Sequence, residues 1–182
     1  FYFGAFNILL DFLGLLIHVV TDVSACCTSY DCADNRSKNG ITGLFSDDSS
    51  NTLTGRDKFA KFLGGWHGGY DALHVGVKPP FDLPESAGLT RGALQDTILL
   101  PFNDLDGVEK RLKNEQPASI VIEPVLGAGG GIPAEKEFLK GLRELCDRNG
   151  ILLIFDEVIT GFRLAPGGGQ EFFSVKPDIT VL

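Results

Sequence analysis

Three short motifs hold residues whose types could do chemistry together. Asp156-Glu157 follows the apolar run ILLIF, Glu123 ends the run ASIVIE, and Trp66-His67 lies between two glycine pairs. Glycines on both sides of an aromatic residue let the backbone turn sharply and let a flat ligand approach closely. In open α/β sheets, ligands collect at the carboxyl ends of the strands. The motifs therefore predict a ligand site where three strands end.

Each motif also has a structural interpretation. An acidic residue at a strand end commonly caps a helix or anchors a loop, and a Trp-His pair commonly packs in a core. Apolar residues followed by Asp-Glu also describe the magnesium-binding strand of a P-loop NTPase. That interpretation needs a GxxxxGK[ST] loop, and the chain has no Gly-Lys dipeptide. Because all three motifs fall at the same predicted sheet edge, we favour the ligand site.

The elements that must position these residues alternate from Thr54 onward. Strands are predicted at 58–63, 97–100, 118–123, 151–155 and from 177, and helices at 104–115 and 134–149. The second helix has one apolar stripe and a stop at Asn149-Gly150; the stripe comprises Phe138, Leu139, Leu142, Leu145 and Cys146. Alternating strands and helices predict an α/β domain with a mostly parallel sheet.

Composition and charge exclude several classes of protein. The 182 residues carry 16 Lys+Arg against 24 Asp+Glu, a net charge of −8, which argues against general nucleic-acid binding. Cys26, Cys27, Cys32 and Cys146 form no CxxC pair and have no histidine at ligand spacing, so no metal site is predicted. The chain has no methionine and begins with Phe1, so we expect it to be part of a longer protein.

Residues 1–53 differ in character from the rest of the chain. Residues 1–20 are mostly apolar, interrupted by Asp11 and His18, and are long enough to span a bilayer. A carboxylate near the middle is costly in a membrane, and no basic residue flanks the run before Arg36. We favour a buried helix or strand pair; a membrane segment and a segment foreign to the domain stay open as alternatives.

Five sequence blocks resemble, in order and spacing, the class III aminotransferases. They are TGRDKFAKFLGGWHGGYD, EPVLGAGGGIP, LRELCDRNGILLIFDEVITGFR, GGGQEFF and KPDITVL, within residues 54–182. Enzymes of this class have fold type I and depend on pyridoxal phosphate. The resemblance implies that residues 54–182 are the central part of their large α/β domain, which has a mostly parallel sheet and helices on both faces. Within the class, FDEVITGFRLAPGGGQEFF most resembles the glutamate-1-semialdehyde 2,1-aminomutases.

The resemblance implies roles for the residues at the strand ends. Asp156 would be the catalytic carboxylate that faces the pyridine nitrogen of the cofactor and keeps it protonated, so that the ring can accept electrons. Trp66 would stack on one face of the ring and Val158 would pack on the other. His67 would shape the pocket. Glu123 would belong to the polar network near cofactor and substrate.

The chain also departs from the class. The Ser-Gly-Thr turn that binds the cofactor phosphate has no match in residues 1–53, which are therefore divergent or foreign. The lysine that holds the cofactor covalently follows the block ending at Leu182, so we expect it beyond this chain and expect the 182 residues alone to be inactive. The aminomutases place an Asn five residues after Glu123, where this chain has Ala128, and the loop VGVKPPFDLPESAGL looks shortened. The last two departures favour an ordinary transaminase.

The resemblance implies pyridoxal-phosphate-dependent amino-group transfer of the glutamate-1-semialdehyde 2,1-aminomutase type. The alternatives are a transaminase that moves an amino group to a 2-oxo acid, and a non-catalytic truncated remnant. Arg163, in the GFR motif, could bind a substrate carboxylate, and a structural ion pair explains it as well. The implied partners are a small amino acid or amino aldehyde as substrate and, for the full-length enzyme, a second copy in a homodimer. The implied location is the cytoplasm, or the plastid if the source is a plant or alga.

Overall fold

The computed structural model describes residues 54–182, and the expectations about residues 1–53 lie outside that range. The strands are β1 (Phe59–Phe62), β2 (Thr97–Leu100), β3 (Ser119–Ile122), β4 (Val125–Leu126), β5 (Ile132–Pro133), β6 (Leu152–Asp156) and β7 (Ile179–Val181). The helices are α1 (Arg91–Leu94), α2 (Leu105–Leu112), α3 (Lys136–Asn149) and α4 (Gly168–Phe173), with one 3₁₀ turn at Asp71–Leu73.

The five longer strands form one sheet in the order β2-β1-β3-β6-β7, and every neighbouring pair is parallel. Parallel strands need crossover connections, and α2 and α3 lie in two of them. Strands β1 and β3 are buried along their whole length, as expected for apolar runs covered on both faces. The predicted α/β fold with a mostly parallel sheet is confirmed.

One face of the sheet forms the main core with α2 and α3. Alternate strand residues point to this face, and they include Ala60, Phe62, Ile98, Leu100, Ile120, Ile122, Leu153 and Phe155. The stripe predicted on α3 packs against them, and all five of its members are buried. Helix α3 ends at Gly150, whose left-handed backbone (φ 60°) lets its N–H donate to the Cys146 carbonyl.

Several short elements were not predicted. Strands β4 and β5 form a separate antiparallel pair, and α1 and α4 are helices of four and six residues. The chain runs from β3 through β4 and β5 to α3, so this pair borders the sheet edge at which β3 ends. Within residues 54–182, no helix has both the length and the apolar character needed to cross a bilayer.

Candidate active site

The candidate site lies where β1, β3 and β6 end, at the carboxyl edge of the sheet. These three strands are neighbours and run parallel, so the residues that follow them meet at one edge. Trp66 and His67 follow β1, Glu123 follows β3, and Asp156 is the last residue of β6. The structure thus brings together the three motifs that the sequence singled out.

Glu123 connects the loop after β1 to the loop after β4. One carboxylate oxygen, Oε1, accepts from the Trp66 backbone N–H at 2.7 Å, and the other, Oε2, accepts from the Gly127 N–H at 2.9 Å. The residue is only 4% exposed, so both oxygens need such donors. Glu123 therefore fixes the backbone on which Trp66 is carried.

Asp156 and His67 form the buried polar pair of the site. The Asp156 Oδ2 atom lies 2.8 Å from His67 Nδ1, and Oδ1 accepts from the Val158 N–H at 3.2 Å. The other ring nitrogen, Nε2, is buried and meets no partner within residues 54–182. When Nδ1 carries the proton, the His67 ring donates it to the Asp156 carboxylate.

Apolar side chains flank this pair and are open to solvent. Trp66 is 41% exposed, and its ring meets the edge of the His74 ring at a centroid distance of 4.9 Å and an angle of 78°. Val158, two residues after Asp156, is 59% exposed. Glycines let the chain turn around Trp66, since Gly64 and Gly68 have φ of 86° and 84°, values that favour glycine. An aromatic face, an exposed valine and a carboxylate suit a flat, apolar ring with one positively charged donor.

Glu157 faces away from this pair, although it is adjacent to Asp156. Its buried carboxylate accepts from the Gly169 N–H, from the Gln170 N–H at 3.2 Å and from the Thr160 hydroxyl at 3.2 Å. Glu157 therefore anchors the first turn of α4 and has the structural role that acidic residues at strand ends commonly have.

Arg163 is exposed and bonds to its own loop. Its Nη1 donates to the Ile159 carbonyl at 2.8 Å and, more weakly, to the Val158 carbonyl at 3.4 Å. These bonds stabilise the turn that follows β6. Binding of a substrate carboxylate by Arg163 stays a prediction.

Lys61 is a buried residue that the sequence motifs did not single out. It lies in the middle of β1, is fully buried, and donates to the carbonyls of Gly65 at 2.9 Å and Leu73 at 2.8 Å. Burial lowers the pKa of its ammonium from 10.5 to about 8, and the negative charges of Glu123 and Glu85 offset part of that change. In the sequence, Lys61 is a lysine inside a short apolar run. The alternation of apolar and polar residues along a strand does not by itself distinguish such a buried lysine from one on the surface.

A surface depression of about 340 Å³ lies at the opposite end of the sheet. It is lined by charged side chains such as Arg56, Glu109 and Arg148. Arg56 donates to the carbonyls of Pro117 and Gly150, each at 3.0 Å, and so ties together the chain segments before β3 and β6. This end of the sheet lacks the buried polar pair of the carboxyl edge, and we do not place the site there.

No cluster of three or more His, Cys, Asp or Glu side chains suited to a metal ion occurs in the part of the chain that the structure describes. Cys146 is buried in α3 with a free thiol, as its place in the apolar stripe predicted.

Comparison with known sequences assigns the chain to one family. The family model of the class III aminotransferases matches residues 44–182. Glutamate-1-semialdehyde 2,1-aminomutase from Chlorobaculum parvum is 50% identical over 136 residues, and that from Salinibacter ruber is 47% identical over 134 residues. Each match covers 71% of this chain and 31% of the relative. The chain thus spans about a third of the length of these curated relatives.

Solved structures of the same class share the fold. An omega-transaminase from Sphaerobacter thermophilus superposes with a TM-score of 0.71 at 35% identity, covering 79% of this chain and 35% of that one. A glutamate-1-semialdehyde aminomutase from Pseudomonas aeruginosa PAO1 gives 0.63 at 32% identity, covering 72% and 29%. These matches confirm the resemblance seen in the sequence blocks. The chain belongs to the class III aminotransferase family.

Proposed function

We propose that the protein containing this chain transfers amino groups with the help of pyridoxal phosphate, on a small amino acid or amino aldehyde. The observation that carries this proposal is the Asp156–His67 pair, held beside Trp66 at the carboxyl edge of the sheet. Similarity to the aminomutases and to transaminases supports it. A solved transaminase of this fold, 33% identical to the chain, is described with the cofactor bound.

The residues at the edge fit the cofactor ring. Trp66 offers an exposed aromatic face, and Val158 offers an exposed apolar side chain beside Asp156. Each oxygen of the Asp156 carboxylate accepts one hydrogen bond within residues 54–182, which leaves each oxygen a further lone pair for the ring N–H. Pyridoxal phosphate, when bound, accepts the electrons released as a bond to the substrate amino carbon breaks.

Asp156 and His67 supply the negative charge that such a ring needs. The His67 ring donates from Nδ1 and holds the carboxylate in one orientation. Asp156 would then face the ring nitrogen and stabilise a proton there. Because His67 is nearly fully buried, water does not compete for this hydrogen bond.

Trp66 and Glu123 set the position of the ring. Trp66 would stack against one face, and Glu123 holds the Trp66 backbone N–H at 2.7 Å. Glu123 also holds the Gly127 N–H, next to Ala128 in the loop between β4 and β5. We therefore propose that Glu123 acts on the site through the backbone of these two loops.

Between the two reactions, we propose the aminomutase type first. Identity of 50% to an aminomutase over most of this chain supports it. Ala128 supports the second candidate, transfer to a 2-oxo acid, because a methyl group cannot make the hydrogen bond that an Asn would make there. A TM-score of 0.71 to the omega-transaminase supports the second candidate as well.

We also propose a homodimer as the state of the full-length protein. Ile159, in the turn after β6, is 50% exposed and so is available for burial against further protein. Light scattering on the longer protein tests this, and a monomer would contradict it. The cytoplasm, or the plastid in a plant or alga, stays our prediction for its location.

Replacing Asp156 tests the proposed function in the longer protein that contains this chain. We expect Asp156→Asn to lower turnover by about 100-fold or more, because the charge that stabilises the ring proton is lost. Glu109→Gln, at an exposed carboxylate on α2, is the matched control and should leave turnover unchanged. Turnover of Asp156→Asn within a few-fold of wild type would contradict the assignment.

The substrate requirement distinguishes the two reactions. An aminomutase converts glutamate 1-semialdehyde, without a second substrate, into the isomer whose amino group has moved from carbon 2 to carbon 1. A transaminase turns over steadily only when an amino acceptor such as a 2-oxo acid is supplied. Steady isomerisation without an acceptor supports the first candidate, and strict dependence on an acceptor supports the second.

A further inference from the structure

One peptide group at the site is held at both ends by buried charges of opposite sign. The carbonyl of Gly65 accepts from the Lys61 Nζ at 2.9 Å. The N–H of Trp66, at the other end of the same peptide group, donates to Glu123 Oε1 at 2.7 Å. Lys61 is fully buried and Glu123 is 4% exposed, so water does not replace either contact.

Lys61 holds a second segment as well. Its Nζ donates to the Leu73 carbonyl at 2.8 Å, at the end of the 3₁₀ turn. The next residue is His74, whose ring meets that of Trp66 edge to face at 4.9 Å. One ammonium group therefore fixes the backbone that carries the indole and the backbone that carries the ring beside it.

The charges also select one orientation of the peptide group. A peptide dipole has its negative end at the oxygen and its positive end at the N–H. Here the oxygen faces Lys61 and the N–H faces Glu123, which is the favourable direction. The reversed peptide would place its oxygen against the Glu123 carboxylate. Because the orientation of this peptide sets the φ of Trp66, it also sets the direction of the indole.

A buried lysine carries a cost that an apolar residue at the same position would avoid. Moving an ammonium group out of water is unfavourable unless it is paired and hydrogen-bonded. The low pKa of Lys61, about 8, reflects that cost. Two backbone carbonyls and the charge of Glu123 are the groups that offset it. The energetics thus point to a role in holding the loop.

We propose that Lys61 is a positioning residue, which clamps the Gly65–Trp66 peptide together with Glu123 and so directs the indole of Trp66 toward the site. Its importance for catalysis rests on the proposed function, in which the cofactor ring stacks on Trp66. The clamp itself is a property of the ligand-free chain and can be measured without cofactor or substrate.

Trp66 is the single tryptophan of the chain, so its fluorescence reports on the clamp directly. In the 182-residue chain, we expect Lys61→Met to raise the rate of acrylamide quenching about twofold, because the loop opens locally. Glu123→Gln, which weakens the other end of the clamp, should raise it similarly. Lys58→Met is the matched control, since Lys58 is part-exposed and pairs with Glu115 at 2.7 Å, and it should leave quenching unchanged.

The double variant Lys61→Met/Glu123→Gln tests whether the two residues act on one peptide group. If they do, its quenching rate should match that of the single variants and not exceed it by a further factor of two. Lys61→Arg keeps a positive charge and several donors, and its quenching should lie nearer to wild type than that of Lys61→Met. Fully additive effects would overturn a shared clamp.

A pH titration covers the case in which Lys61→Met does not fold. Wild-type quenching should fall between pH 7.5 and pH 9. Burial places the pKa of Lys61 at about 8 in the closed loop, below that of a solvated lysine, so the closed loop binds fewer protons than the open one and is favoured as the pH rises. The titratable groups that face this region are Glu123, Glu85, His74 and His67. In Lys61→Arg the fall should vanish, because arginine keeps its charge throughout this range. A fall that persists in Lys61→Arg belongs to another group and overturns the proposal.

The outcomes separate the clamp from the proposed function. If Lys61→Met folds and its rate of acrylamide quenching equals that of wild type, the clamp is overturned, whatever the longer protein catalyses. A confirmed clamp in a longer protein without amino-transfer activity would contradict the proposed function and leave the clamp intact. If both hold, Lys61→Met in the longer protein should also weaken the visible circular dichroism of the bound cofactor, which reports the orientation of its ring.

Discussion

Asp156 and Glu157 are adjacent carboxylates with different roles. Asp156 bonds to His67 and to the Val158 N–H at the sheet edge, whereas Glu157 turns inward and holds the start of α4. Their separation follows from strand geometry, because successive side chains at the end of β6 point in opposite directions. At the residue scale, we therefore propose that only Asp156 of the two faces a ligand.

The bond between His67 and Asp156 should contribute measurably to stability. His67→Phe keeps most of the volume but leaves the buried Asp156 Oδ2 without its donor, so we expect a loss of about 1–3 kcal/mol in the free energy of unfolding. Urea denaturation of the 182-residue chain measures this. His74→Phe is the control, since its 3.7 Å ion pair with Glu85 is weak and should cost less than about 1 kcal/mol. Equal losses in the free energy of unfolding for His67→Phe and His74→Phe would contradict a special role for the buried pair.

The pKa of Lys61 predicts how stability changes with pH. Burial lowers this pKa from 10.5 to about 8, so above pH 8 the unfolded chain binds more protons than the folded one. The free energy of unfolding should therefore rise with pH, by up to about 1.4 kcal/mol per unit. Burial raises the pKa of the Cys146 thiol from 9.0 to about 12. Above pH 9 the folded chain therefore binds more protons at this thiol than the unfolded one, and this contribution lowers the free energy of unfolding as the pH rises.

The window between pH 7.5 and pH 9 isolates the contribution of Lys61. Urea denaturation of wild type and of Lys61→Met across this window measures it as the difference between the two slopes. We expect the variant to lose the upward slope. If both proteins show the same slope, Lys61 is not the group that titrates there.

At the scale of elements, the loop after β6 is tied to α4 through Glu157. The helix begins with two glycines, which have low helix propensity, so its first turn depends on contacts from outside. Glu157 supplies them by accepting from the Gly169 and Gln170 N–H groups. A Cβ at Gly168 would collide with the Glu157 carboxylate, which shows how close the two segments lie.

Glu157→Ala should therefore destabilise the chain strongly. Two backbone N–H groups and the Thr160 hydroxyl lose their buried acceptor, and we expect a loss of about 3 kcal/mol in the free energy of unfolding. Glu171→Ala, on the same helix, removes an exposed carboxylate that accepts from Gly167 and should cost about 1 kcal/mol or less. Similar urea midpoints for the two variants would show that Glu157 is not the anchor.

The two long helices and the five strands of the main sheet were predicted from the sequence, whereas the two-residue strands and the short helices α1 and α4 were not. Helix α3 has fourteen residues and a full apolar stripe, so its period is visible in the sequence. Strands β4 and β5 have two residues each, too few to show any period. Such short elements exist because neighbouring segments provide their hydrogen bonds, and that information is not local.

At the scale of the whole molecule, the strand order determines which residues can act together. Trp66 and Glu123 are 57 positions apart and His67 and Asp156 are 89 apart, yet each pair makes a direct hydrogen bond. Both contacts exist because β3 lies between β1 and β6 and all three run in the same direction. The site is therefore a product of topology.

This topology predicts an observable response to the cofactor. Adding pyridoxal phosphate to the 182-residue chain should quench the fluorescence of Trp66, because the strand order brings the Trp66-His67 loop to the same edge as Asp156. Binding should be weak and reversible, and Asp156→Asn should weaken it about tenfold through loss of a charge-assisted hydrogen bond. Glu109→Gln provides the control. Unchanged affinity in Asp156→Asn would place the cofactor elsewhere.

The sequence by itself determined the fold class, the family and the residues at the three strand ends. The spacing of apolar residues, the positions of glycines and the order of the five sequence blocks are local properties. They can be read from the sequence without coordinates. The tertiary structure alone decided which of the two adjacent acids bonds to His67, that the Glu123 carboxylate accepts from two backbone N–H groups, and that Lys61 is fully buried. These facts depend on contacts between residues far apart in the chain, which local patterns do not encode.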